Sequence, residues 1–130
     1  MPTENLWGEL PAVGDLRTPL SILREQATLL SNMTERLLEG SVRVLRETPD
    51  EITAELSITA PALGGYKVAV LRISHKVAIY PVTVTDLING DTFQGLANED
   101  VYLDHLKTIL TDPKIKSVIS SLLLQSRAAS

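Results

Sequence analysis

Apolar and polar residues alternate without a break through Ile52-Thr53-Ala54-Glu55-Leu56-Ser57-Ile58-Thr59-Ala60, the period of two that lets a strand bury one face and wet the other. Upstream the period lengthens. Leu20, Leu23, Ala27, Leu30 and Leu37 recur at three-four spacing, widened by Ile22, Leu29 and Met33, while Ser21, Glu25, Thr28, Asn32, Glu35 and Glu39 take the other side. That spacing predicts an amphipathic helix over residues 18–40. Thr18 suits its N-cap, Pro19 its first turn, and Gly40 a left-handed residue just past its end. The stripe is expected to pack on the chain's own sheet; a seam with a second copy is the alternative.

After Gly40 the pattern turns to strands. Val42 and Val44 share one side of a first strand that stops at the turn sequence Thr48-Pro49-Asp50-Glu51, and a hairpin leads into the alternating second strand. Pro61 through Gly65 form a connection, Tyr66 to Ile73 a third strand, and Val77 to Val84 a fourth. In the third strand Val68 and Val70 point to one face while Ala69, Leu71 and Ile73 point to the other, so a second apolar face is expected that helices or another subunit must cover. The phase also slips across Pro81, which cannot donate to a ladder, so a bulge or a sheet edge is expected there.

From Asp86 the period loosens. Asn98 then suits the cap of a helix carrying Val101, Leu103, Leu106, Ile109 and Leu110 and stopping near Thr111. Asp112-Pro113 repeats that signal ahead of a short helix with Ile115, Val118, Ile119, Leu122 and Leu123, followed by a polar end. These elements predict an α+β fold: a long N-terminal helix on a four-stranded antiparallel meander, then two short C-terminal helices. The expected division is an arm over residues 1–17, one domain over 18–126 and a tail over 127–130. The arm holds the chain's one Trp, Trp7, expected to lock over the domain's own core, with anchoring in a partner as the alternative.

Composition narrows the function classes. The 130 residues are 44% hydrophobic and 22% charged, without an apolar run near the roughly 18 to 20 residues of a membrane span. No membrane partner is expected, and the residues after Met1 do not read as a secretion signal. The chain is acidic, twelve Lys and Arg against sixteen Asp and Glu, and only 4% aromatic. Both facts argue against nucleic acid, which calls for basic patches and stacking platforms. Cysteine is absent, which removes thiolate chemistry and fits the cytoplasm.

Groups that could carry chemistry are few. His75 lies between the third and fourth strands and His105 inside a helix, and both read as surface residues. Asp86, Asp91, Glu99, Asp100 and Asp104 make an acidic stretch, but apolar residues stand where a calcium loop needs oxygen ligands. A solvated loop and acids at a helix start explain it. No G-x-S-x-G elbow is present, Gly64-Gly65 precedes a strand instead of a phosphate-binding helix, and the Asn32-Met33-Thr34 sequon falls within a helix. No enzyme, cofactor or metal is expected. What remains is a non-catalytic protein-interaction module, a homodimer associating through apolar sheet surface or a strand edge, with Trp7, Ala69, Leu71, Ile73, Tyr80 and Pro81 as its contact residues. The alternative is a binder of small apolar ligands, with a pocket between the long helix and the sheet and Tyr66, Tyr80 or Tyr102 as its polar handle.

Overall fold

Thr18 opens the first helix as expected: its hydroxyl accepts from the Ser21 N–H at 3.1 Å and the Ser21 hydroxyl accepts from the Thr18 N–H at 2.9 Å, a reciprocal cap that satisfies two donors. The structure is a computed structural model that describes residues 3–12 and 17–129. Met1, Pro2, residues 13–16 and Ser130, which belong to the expected arm and tail, lie outside them. Helix α1 covers Pro19–Met33 and ends well before Gly40. Its chain turns away through Glu35 and Arg36, whose φ angles of 52° and 62° are left-handed, and the Leu38 N–H donates to Thr34 Oγ1. Leu38 then drops fully into the core.

Gly40 does not end a helix. It is the second residue of strand β1 (Glu39–Thr48) and passes so close to α1 that a Cβ there would lie 2.5 Å from the Ala27 carbonyl oxygen. The Gly40 N–H donates to the buried Ser31 hydroxyl at 2.9 Å, so glycine is needed for approach and not for a turn. Strands β2 (Glu51–Ala60), β3 (Tyr66–His75), β4 (Val82–Asp86) and β5 (Thr92–Leu96) follow, then helices α2 (Glu99–Leu110) and α3 (Pro113–Ala129). The described strands form one antiparallel sheet in the order β1-β2-β3-β4-β5.

The sheet has five strands, not four. Residues 77–81, expected as the start of a strand, form a turn and an irregular segment ending at the cis Tyr80-Pro81 bond. The missing strand is β5, joined to β4 across Asn89-Gly90, where the Asp86 carboxylate accepts from the backbone N–H groups of Ile88 and Asn89. Helix α2 starts at its predicted cap, Asn98 accepting from the Val101 N–H at 3.0 Å. Helix α3 also starts at Asp112-Pro113, but continues through Ala129, so residues 127–129 of the expected tail are helical.

Bulges reconcile the strand sequences with a single buried face. Leu56 pairs with Leu71 and Ser57 with Ala69, leaving Val70 as an extra residue in β3. One inserted residue reverses the alternation. Val68, Leu71, Ile73 and His75 therefore share the face of Ile58, Leu56, Ala54 and Ile52, their partners on β2. Among the described residues the sheet shows no second apolar face of the kind expected, and Leu71 and Ile73 are buried in the core. Leu45 plays the same part between Val44 and Arg46 in β1, and Gln94-Gly95 between Phe93 and Leu96 in β5. The opposite face is polar: Arg43, Glu55, Arg72, Thr85 and Thr92 form a row across all the strands, with Ser41, Ser57, Thr53, Ser74 and Thr83 around it. Arg72 pairs with Glu55 at 2.8 Å within that row.

All three helices lie on the apolar face. Helix α1 packs over β1 and β2, α2 over β4 and β5, and α3 against the 3-10 turn Pro61–Leu63 that joins β2 to β3. Tyr102 of α2 is fully buried and its hydroxyl donates to the Pro19 carbonyl at 2.9 Å, tying the first turns of two helices together. Among the described residues no helix is long and apolar enough to cross a membrane.

Candidate functional site

The expected contact residues are not brought together. Ala69 stands half-buried on the polar sheet face, Leu71 and Ile73 are inside, and Trp7 is 80% exposed on the arm. Trp7 does not lock over the core: an Asn5 side chain accepting from the Trp7 N–H holds it in a short turn at the surface. Pro81 precedes β4, which lies between β3 and β5, so it is not at a sheet edge; β1 and β5 are the outer strands. Tyr80 is half-buried with its hydroxyl out of solvent and, among the described residues, without a hydrogen-bond partner. Burial raises its pKa first, Glu99 adds to the shift and Arg17 opposes it.

Asp86 and His105 are held by contacts within the fold. The buried Asp86 carboxylate also accepts from the Asn89 side chain at 2.9 Å, completing the β4–β5 turn. His105 Nδ1 lies 3.0 Å from the Val101 carbonyl, and its ring packs on Phe93 at 5.2 Å. His75 is buried at the end of β3, with Nδ1 2.7 Å from the Lys76 carbonyl. Among the described residues Nε2 of that ring has no hydrogen-bond partner. Among the described residues no group of three His, Asp or Glu side chains is placed to hold a metal.

Unassigned apolar surface lies elsewhere, along the seam of α1 and α3. Three exposed side chains mark it: Leu29 and Met33 from α1, the latter 81% exposed, and Leu124 from α3. Beneath Leu29 and Met33 opens a cavity of about 160 Å³ whose walls come from Leu30 of α1, Leu56 and Ile58 of β2, Val70 of β3, and Ile115 and Ile119 of α3. Gln26 is the one polar residue among the described residues that line it. The cavity shares Met33 with a more open groove lined by Leu37, Leu123 and Leu124 together with Thr34, Glu35, Ser120 and Arg127. None of Tyr66, Tyr80 and Tyr102 lines the cavity.

Helical geometry places this strip. Ile115, Ile119 and Leu122 face the sheet, so of the consecutive Leu122, Leu123 and Leu124 only the first is buried. On α1 the stripe is wider than one contact can hide: Ile22, Leu23 and Ala27 are buried, whereas Leu29 and Met33, four residues apart, turn outward. Two signals for this surface were present in the sequence, the triple leucine and the overwide stripe. Comparison with protein-family models, with curated proteins and with solved structures gave no match in any of the three.

Proposed function

We propose that the protein is a non-catalytic interaction module that works as a homodimer through the seam of α1 and α3. The carrying observation is the exposed apolar strip of Leu29, Met33 and Leu124 beside a groove to which Leu37 and Leu123 also contribute. Such strips are where one protein docks on another. Leu71 and Ile73 cannot serve without opening the core, so the association moves from the sheet to the helices. A non-catalytic role is supported by the engagement of Asp86 and His105 in a turn and a helix. The cysteine-free composition supports a cytoplasmic setting. Size-exclusion chromatography with light scattering tests the proposal: a dimer at micromolar concentration is expected, and a strict monomer rules it out.

A second reading, a binder of small apolar ligands, is favoured by the cavity itself. Its volume of about 160 Å³ is close to that of dry cavities of about 150 Å³ that take up a benzene-sized molecule. The polar handle in this reading is Gln26, not a tyrosine. Saturable thermal stabilisation by small apolar compounds is its test, and a flat response across a broad panel excludes it.

A further inference from the structure

We propose that the cavity beneath Leu29 and Met33 takes a neutral single-ring molecule bearing one hydrogen-bonding group, a benzyl alcohol in type, and rejects ions of the same shape. The inference rests on the ligand-binding reading and adds the chemical class of the ligand. Its first support is the cavity floor. Val70, the extra residue of the β3 bulge, is 1% exposed and lines the cavity beside Leu56 and Ile58. The bulge lets two consecutive residues, Val70 and Leu71, both be buried, and the inserted one faces the chamber. Re-aiming a side chain beside a binding site is a recurrent use of such bulges.

The lining selects the chemistry. Among the described residues that line the cavity none is charged, and Gln26 alone is polar. Gln26 is half-buried, and its side chain has no hydrogen-bond partner among the described residues, so its amide has both donors and an acceptor to offer. Lys107 lines the neighbouring recess beyond Gln26 and Leu110, not the cavity. A carboxylate or ammonium in the cavity would therefore lose its water without gaining a counter-charge. A hydroxyl needs one partner, which Gln26 supplies. Volume sets the size: about 160 Å³ admits one benzene-like ring with a short substituent.

Methyl-detected NMR on the full chain tests the assignment, with benzyl alcohol, ethylbenzene, benzoate and benzylamine as probes of one shape. Ethylbenzene carries a methyl where benzyl alcohol has its hydroxyl, and the last two are charged at neutral pH. Both neutral probes should move the methyl resonances of Ile58, Val70, Ile115 and Ile119 saturably, and the two ions should not. Gln26→Met, which keeps the side chain's length, should weaken benzyl alcohol about ten-fold and leave ethylbenzene within about two-fold. Binding of ethylbenzene without benzyl alcohol, a Gln26→Met variant that treats the two alike, or saturable shifts of those methyls by either ion overturns the selectivity and leaves an apolar binder standing. Failure of both neutral probes to shift those methyls overturns the selectivity and the ligand-binding reading together.

Discussion

Adding a single methyl group at Gly40 would place a carbon 2.5 Å from the Ala27 carbonyl oxygen and 2.7 Å from the Ala27 Cα. Both are backbone atoms, so no side-chain rotation can relieve the clash. Gly40→Ala is expected to cost about 3 kcal/mol, the upper range for overpacking, measurable by urea unfolding. The same change at Gly64, which is left-handed but has open space around its Cβ direction, should cost only about 1 kcal/mol. Tyr102 gives a pH signature. Burial holds its pKa well above the ordinary 10.0, with the neighbouring Tyr80 adding to the shift. The folded chain keeps that proton while the unfolded chain releases it near pH 10, so stability is full below pH 10 and falls above it, by up to about 1.4 kcal/mol per unit. Tyr102→Phe should flatten that alkaline limb. It should also cost about 1 to 2 kcal/mol at neutral pH, because the Pro19 carbonyl loses its donor.

The bulge in β3 makes a testable element. Val70 is the residue left over between the Leu56–Leu71 and Ser57–Ala69 pairs, so excising it restores regular pairing without turning any other side chain around. Deletion of Val70 should therefore keep a cooperative fold at a cost of about 2 to 3 kcal/mol for the lost burial. Loss of cooperative unfolding would show that the pairing is held another way. Bulges also explain what the sequence disclosed and what it hid. Helix starts were legible at Thr18, Asn98 and Asp112 because each carries its own capping side chain. The end of α1 was not, since Glu35 and Arg36 adopt a left-handed backbone without a glycine to announce it. Strand β2 is uninterrupted in its pairing of Ile52 through Ala60 and was legible throughout. In β3 the inserted Val70 mimics two apolar faces, and in β5 Gln94-Gly95 breaks a strand too short to show a period. The candidate surface was the least legible part. An overwide stripe says that some leucines stay outside, but which ones depends on where the helices settle.

At the scale of the molecule, one layer of helices covers one face of a sheet and the other face is left to serines, threonines and ion pairs. Surplus apolar area is thus displaced onto the helical side. Met33→Asp together with Leu124→Asp puts two charges on that strip at residues 81% and 72% exposed. The pair should leave the melting temperature nearly unchanged. Sedimentation should nonetheless show the proposed dimer weakened at least ten-fold, since a buried unpaired charge at an interface costs several kcal/mol. A variant that unfolds instead would mean that the strip holds the monomer together. The Ser31 hydroxyl has a further role at this scale. By taking the Gly40 N–H on an outer strand, it removes a donor that an incoming ribbon would need for docking, and the bulge at Leu45 bends the same border. Fibre-like stacking is thereby disfavoured at this margin.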